Sequence, residues 1–104
     1  TKEAMTMTRA MLMYRKRLET DTGHIRFLEY YLLTDEIFFA SNVLEVYGAE
    51  VRVLGPGGAA LESRRIRAIT PFGPKITALI SAMAQGMVTP ASMGEVVEEL
   101  ILST

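Results

Sequence analysis

The chain has 104 residues, of which 49% are hydrophobic and 22% charged, and this composition excludes a disordered chain. Its net charge of −1, from 11 basic and 12 acidic residues, gives no general attraction to nucleic acid or to an anionic membrane. The lack of cysteine excludes disulfides, thiolate catalysis and cysteine-based metal sites.

The length predicts one domain over residues 1–104. No segment approaches the roughly 18 consecutive apolar residues that a membrane span requires, and nothing resembles a secretion signal. We therefore expect a cytoplasmic protein that does not associate with membranes.

Residues 1–9 are mostly polar and are predicted to form a loose N-terminal arm. Residues 10–19 fit two patterns. A strand places Leu12, Tyr14 and Leu18 on one face, interrupted by Lys16. A helix places five apolar side chains on one face, namely Ala4, Met7, Met11, Tyr14 and Leu18. We favour the strand, because a turn that contains glycine and a second strand follow it.

That second strand is predicted over residues 25–33, which are rich in aromatic and aliphatic side chains. It should pair antiparallel with the first strand across the turn at residues 20–24. Residues 34–42 leave three alternatives open: a loop, one turn of helix, or an extension of the second strand. Their apolar residues Ile37, Phe38 and Phe39 should be buried within the chain or against another chain, since burying each contributes roughly 1.5–3 kcal/mol.

Residues 43–54 alternate well and predict a third strand, in which Gly48 indicates a bulge or a close backbone approach. Residues 55–58, with the sequence GPGG, predict a turn. A fourth strand over residues 60–69 should be short or bulged, because the spacing of Leu61, Ile66 and Ile69 breaks simple alternation.

The last third of the chain predicts two helices, each opened by a Thr-Pro pair that suits a helix start, at Thr70 and Thr89. Gly73 and Pro74 leave the start of the first helix open between Pro71 and Lys75. Gly86 is placed where a left-handed residue would end the first helix. The apolar residues of the first helix fall on one face: Ile76, Leu79, Ile80, Met83 and Met87. Those of the second do the same: Met93, Val96, Val97, Leu100 and Ile101.

Strands followed by helices predict an α+β fold. We expect an antiparallel meander of about four strands, with the C-terminal two-helix hairpin packed on one face of the sheet.

Three stretches together resemble a small uncharacterised bacterial family, a domain of unknown function: Tyr30 to Leu33, Tyr47 to Val51, and Val88 to Glu99. Members of that family are short cytosolic proteins of anaerobic spore-forming bacteria. The resemblance runs from about Tyr14 onward and implies a compact cytosolic domain. It implies no activity, substrate or site residue.

No residue pattern predicts a catalytic, cofactor or metal site. His24 is the one histidine and lies in a turn without a partner at ligand spacing, so we expect a surface residue. The glycines of residues 55–58 lack a following Lys-Ser/Thr and predict a hairpin turn, not a phosphate loop. Asp35 and Glu36 have no third acid fixed nearby, which leaves the enzyme question open but unsupported.

The arginines of the last two strands suggest a basic patch that could hold single-stranded nucleic acid with the help of Tyr30 and Tyr31. Four arginines are concerned: Arg52, Arg64, Arg65 and Arg67. Cross-strand pairing with glutamates is the favoured alternative, because the total charge is balanced. The candidate acids are Glu19, Glu29, Glu45, Glu50 and Glu62. Nucleic acid is therefore not the expected partner.

We expect a non-enzymatic protein-interaction or regulatory domain that forms a homodimer or binds another protein. The first candidate surface is formed by Ile37, Phe38 and Phe39. The second is the sheet face that the helices leave uncovered, predicted to carry Leu28, Tyr30 and Leu32. The alternative is a module that binds a small ligand or single-stranded nucleic acid on the aromatic, arginine-bearing sheet.

Overall fold

The computed structural model describes residues 5–102, with the exception of the side chains of residues 5–7 and 39. Four strands form one antiparallel sheet in the order β1-β2-β3-β4, followed by two helices. The strands are β1 (Met5–Glu19), β2 (Ile25–Phe39), β3 (Asn42–Leu54) and β4 (Ala60–Thr70), and the helices are α1 (Gly73–Gln85) and α2 (Pro90–Leu102). The predicted α+β meander with a C-terminal helix pair is confirmed.

The first three strands are longer than predicted. Strand β1 begins at Met5, so residues 5–9 are not a loose arm; the rest of that predicted arm lies outside the described residues. The physical reason is pairing, since Met5 to Arg9 lie opposite Phe38 to Thr34 on β2. Of the three alternatives for residues 34–42, the extended second strand is observed, with a two-residue turn at Ala40 and Ser41 before β3.

Strand β4 is bulged as predicted. Tyr47 pairs with Thr70 and Ala49 with Ile66, so three residues of β4 lie opposite Gly48 alone. A Cβ atom at Gly48 would lie 2.3 Å from the Ile66 carbonyl oxygen, which no side chain tolerates. The absence of a side chain at position 48 therefore permits the bulge.

The core lies between one sheet face and the two helices. Alternation places Leu28, Tyr30 and Val51 on that face, and all three are fully buried. The predicted apolar stripes of the helices face them, with Ile80 and Met93 completely enclosed. Burial raises the pKa of Tyr30 to about 12, and its hydroxyl donates a hydrogen bond of 2.8 Å to the Val88 carbonyl between the helices.

Two details of the helix ends differ from prediction. Helix α1 begins at Gly73, within the range from Pro71 to Lys75 that the sequence left open, but its N-cap residue is Phe72 and not Thr70. The Thr70 hydroxyl accepts a bond from the Phe72 amide in the connection before the helix. Gly86 has an ordinary φ of −86°, and Met87 takes the left-handed conformation at φ 54° instead. The amides of Met87 and Val88 then bond to carbonyls of the last helical turn, which is a Schellman end with methionine at its left-handed position.

The helices cover only part of the sheet. Helix α1 follows Thr70, which pairs with Tyr47, so the helical layer begins at that level. Beyond it β2 and β3 continue together through five more residue pairs, from Asp35–Val46 to Phe39–Asn42. At about 3.4 Å per residue this is an extension of roughly 17 Å. We call this three-stranded end the flap, formed by residues 5–9 of β1, 34–39 of β2 and 42–46 of β3.

Candidate functional site

Leu28, Tyr30 and Leu32 do not lie on the uncovered face, and their assignment there was wrong. Leu28 and Tyr30 are fully buried beneath the helices, and Leu32 packs against the same core. The physical reason is that β2 is apolar on both faces, so composition alone did not show which face the helices cover. The uncovered face, here called the outer face, carries the alternate residues of β2, such as Glu29, Tyr31 and Asp35.

The outer face is a network of arginine and carboxylate side chains. Glu50 accepts one bond from Arg52 at 2.8 Å and another from Arg65 at 2.9 Å. Burial raises the pKa of the Glu50 carboxyl, but the bonds from the two arginines outweigh this and hold its pKa below the ordinary value. Arg15 also lies 3.6 Å from Glu29. The predicted cross-strand pairing of arginines with glutamates is confirmed for Arg65 with Glu50, whereas Arg52 bonds to Glu50 within its own strand, β3.

Asp35 is the member of this network that the sequence did not reveal. Its carboxylate is almost fully buried and accepts a bidentate pair of hydrogen bonds from Arg67, at 2.8 and 3.2 Å. The Thr8 hydroxyl donates to the same carboxylate. Asp35 therefore ties edge strand β1 to edge strand β4 at the base of the flap. The bonds from Arg67, and secondarily the one from Thr8, hold the pKa of Asp35 below its ordinary value in spite of burial.

Two arginines of the outer face also lie over aromatic rings. The Arg52 guanidinium is 4.3 Å from the centre of the Tyr31 ring, and that of Arg15 is 4.5 Å from the centre of the Phe27 ring. Such cation–π contacts hold the rings and the guanidinium groups against each other. The face is thus occupied by its own side-chain contacts.

The flap is different, because its apolar side chains remain in contact with solvent. Phe38 is 38% exposed, Val43 57% and Leu44 53%, and Ile37 is partly buried. The side chain of Phe39 lies outside the described residues. Of the residues proposed for interaction, Ile37 and Phe38 are thus brought together with Val43 and Leu44, which the sequence analysis had not singled out. The signal that could have identified Val43 and Leu44 was the pairing register of β2 and β3, which places Val43 directly opposite Phe38 and Leu44 directly opposite Ile37.

Nothing in the described part of the chain forms a metal site, since no group of three or more His, Asp or Glu side chains converges there. His24 is exposed in the β1–β2 turn, as predicted, with its Nδ1 2.7 Å from the Thr22 hydroxyl. Neither α1 nor α2 is long and apolar enough to cross a membrane.

Comparison with known proteins returns one family. Residues 9–103 match the profile of DUF6514, a family of unknown function. No curated protein and no solved structure matches the chain.

Proposed function

Because the chain belongs to DUF6514, a family of unknown function, we propose a function from its surfaces: it is a non-enzymatic, regulatory protein-interaction domain that self-associates through the flap. One observation carries this proposal. The flap extends past the helical layer, and Phe38, Val43 and Leu44 remain exposed there at neighbouring positions of β2 and β3.

The energetics favour covering these side chains. Fully burying a Phe, Val or Leu side chain contributes about 1.5–3 kcal/mol. Within the described residues no strand pairs with either side edge of the flap, since β1 is the outermost strand and β4 pairs with β3 only as far as Tyr47. Exposed apolar strands with open edges are surfaces that proteins either protect or use for association.

Light scattering after size-exclusion chromatography tests self-association directly. We expect a dimer whose population falls on dilution. Leu44→Asp should shift the chain to a monomer, because it places a charge among the exposed apolar side chains of the flap. Leu61→Asp is the matched control, since Leu61 is 52% exposed on β4 and Leu44 53% on the flap. A wild-type chain that is monomeric at all accessible concentrations contradicts the proposal, as does equal weakening of the dimer by both variants.

A second candidate function is binding of single-stranded nucleic acid or a small ligand on the outer face. The stacked pairs of Arg52 with Tyr31 and Arg15 with Phe27 are the observation in its favour. Against it, Glu50 and Asp35 occupy the guanidinium groups of Arg52, Arg65 and Arg67. We therefore rank it below self-association. Fluorescence anisotropy with a mixed oligonucleotide pool at low salt is expected to show no binding, and salt-sensitive binding would reverse the ranking.

We further propose that the domain acts in the cytoplasm of a bacterium. The resemblance of the three stretches described above to proteins of anaerobic spore-formers supports this source. The lack of cysteine supports an intracellular location, because small secreted domains often depend on disulfides. Fractionation of cells expressing the native gene checks the location.

A further inference from the structure

The flap contains very little buried side-chain area. Among its described side chains Asp35 is the one that is buried, and the others are partly buried or exposed. In the covered part of the same strand, β2, four side chains are buried: Leu28, Glu29, Tyr30 and Leu33. Strands need apolar burial in addition to backbone pairing to be stable by themselves. The described side chains of the flap therefore supply no apolar core of its own.

One polar cluster connects the side chains of the flap to the strand outside it. We call this cluster the latch, formed by Thr8, Asp35 and Arg67. Thr8 and Asp35 belong to the flap, whereas Arg67 lies on β4, which is not part of it. The Arg67 Nε donates to Asp35 Oδ2 at 3.2 Å and its Nη2 donates to Oδ1 at 2.8 Å. The Thr8 hydroxyl donates to Oδ1 as well.

The other charged contacts of the flap do not connect it to the covered half in this way. Arg9 lies 3.6 Å from Glu36 and 3.4 Å from Glu45, and all three residues are within the flap. The Tyr47 hydroxyl donates a 3.0 Å bond to Glu45, but this bond is exposed to solvent. Surface contacts of this kind contribute little to stability.

Apolar packing at the junction is incomplete. A cleft of about 190 Å³ lies beside the Asp35–Arg67 pair and separates Ile37 and Val46 of the flap from Ala68 of β4. Atoms that line such a gap lose the close contacts that stabilise a packed interior. The latch therefore holds the base of the flap where apolar contacts do not.

We propose that the flap opens as a separate cooperative unit while the sheet beneath the helices stays folded, and that the latch sets how often it opens. Segments with few buried apolar contacts and solvent-exposed backbone hydrogen bonds open at a lower free energy than the core. The flap has both properties, and the covered half has neither. This inference goes beyond the proposed function, because it requires no partner.

Opening of this unit would remove the surface that the flap presents. Phe38, Val43 and Leu44 lie at neighbouring positions only while β2 and β3 pair along the flap. If the chain self-associates through this surface, as proposed above, only the closed fraction is able to associate. The latch is then a device within the fold that controls how much of the protein can bind.

Hydrogen exchange at two segments of β2 tests separate opening. Residues 28–31 and 35–38 both lie between β1 and β3, so their backbone pairing is alike and their helical cover differs. We expect residues 35–38 to have protection factors at least about tenfold lower, with a shallower dependence on urea because opening exposes less surface. Mass spectrometry of proteolytic fragments measures both segments at a dilution where the chain is monomeric.

Two matched variants test the latch. Asp35→Asn and Glu50→Gln each replace a buried carboxylate that is bonded to arginine, the first in the flap and the second in the covered half. Asp35→Asn should lower the protection of both segments by the same factor, at least about tenfold, because flap opening and global unfolding both break the latch. Glu50→Gln should lower the protection of residues 28–31 alone, because the opened flap leaves the bonds of Glu50 intact.

Ile80→Ala is a second variant of the covered half. It should lower the protection of residues 28–31 by at least about 30-fold, since Ile80 is fully buried, and leave that of residues 35–38 unchanged. Equal protection and equal urea dependence of the two segments in the wild-type chain would overturn separate opening. An equal loss at both segments in Ile80→Ala would overturn it as well.

Unchanged protection of residues 35–38 in Asp35→Asn overturns the role of the latch. These results are independent of the proposed self-association, because the exchange is measured on the monomer. A chain that stays monomeric in light scattering removes self-association and leaves the separate opening of the flap standing. Conversely, a dimer whose two segments exchange together keeps self-association and removes the opening unit.

Discussion

The same strands lie in two different environments along their length. At the level of Tyr30 and Val51 the sheet is fully buried under the helices, whereas at the level of Phe38 and Val43 it is open on both faces. The register continues without interruption from one part to the other between β2 and β3. Backbone pairing between β2 and β3 therefore does not require a covering helix. The two parts of the sheet differ in whether the helices pack against their side chains.

This comparison suggests a division of roles. The covered half has the buried apolar area that stabilises the fold, while the flap adds exposed apolar area that an isolated chain leaves in water. A substitution in the covered half should act on the free energy of unfolding. A substitution in the flap should act mainly on association.

The largest expected effect is a core substitution. Ile80 is fully buried in α1 against the sheet, so Ile80→Ala should lower the free energy of unfolding by about 2–5 kcal/mol. Leu44→Ala in the flap should cost less than about 1 kcal/mol, because Leu44 is half exposed and its replacement leaves no enclosed cavity. Urea denaturation followed by circular dichroism, at a protein concentration low enough for the monomer, measures both.

Equal losses of stability for Ile80→Ala and Leu44→Ala would contradict this division of roles. An equal loss at low concentration would mean that the flap is folded against the body of the chain and not presented for association. A loss of stability for Leu44→Ala that grows with protein concentration would instead support the division of roles, because only the associated form would then depend on this residue.

Local pattern was enough to predict most of the elements. Period-two alternation identified β3, and steps of three and four residues identified the buried face of both helices, including Ile76, Met83 and Val97. These signals are local because one face of each element is apolar and the other is not. Gly48 also indicated the bulge correctly, since a glycine in mid-strand marks a close backbone approach.

What could not be predicted depends on contacts between distant residues. Leu28 and Tyr30 were assigned to the wrong face because Tyr31 and Leu33 make the other face of β2 equally apolar in composition. Met87 replaced Gly86 as the left-handed residue, which shows that packing can hold a methionine in a conformation that the backbone alone disfavours.

The pairing of Asp35 with Arg67 is the clearest case of a contact hidden from the sequence. The two residues are 32 positions apart and lie on β2 and β4, with β3 between them. Their contact accompanies the register shift at Gly48, which changes the alternation of β4 just before Thr70. A shift of this kind can be suspected from a glycine, but its effect on one arginine side chain requires the folded sheet.

Gly48→Ala should have the next largest effect, because it acts where the covered half meets the flap. The added Cβ atom would meet the Ile66 carbonyl oxygen at 2.3 Å and the Arg67 Cα atom at 2.8 Å, so the bulge must move. We expect a loss of about 1–3 kcal/mol, typical of overpacking, measured by thermal or urea unfolding.

Gly86→Ala is the matched control for that substitution. A Cβ atom there would meet only ordinary contacts, of which the nearest is 3.5 Å, and Gly86 has a negative φ. Alanine should therefore stabilise the chain by up to about 1 kcal/mol through the lower entropy of the unfolded state. If Gly86→Ala instead destabilised the chain, this would indicate that Gly86 itself takes the left-handed conformation that the sequence predicted.

The smallest expected effect is the pH dependence of the free energy of unfolding that comes from the buried carboxylates Asp35 and Glu50. In the folded chain the bonds from Arg67 hold the pKa of Asp35 below its ordinary value. Burial raises the pKa of Glu50, but the bonds from Arg52 and Arg65 outweigh it and hold that pKa below its ordinary value as well. Their contribution to stability is therefore fully present above the ordinary carboxyl pKa of about 4 and is lost as the pH falls through the lowered values. The free energy of unfolding should decrease from pH 5 toward pH 2.

Asp35→Asn separates the contribution of Asp35 to the pH dependence of the free energy of unfolding from that of Glu50. The variant should be less stable than the wild-type chain at pH 7, because Arg67 loses its carboxylate, and the gap should narrow as acid protonates Asp35 in the wild type. Glu62→Gln is the control, since Glu62 is exposed and has no ion pair among the described residues. If the gap between Asp35→Asn and wild type is the same at pH 7 and pH 2, the charge of Asp35 does not tie β1 and β4 together. The flap would then be held to the covered half by backbone pairing alone.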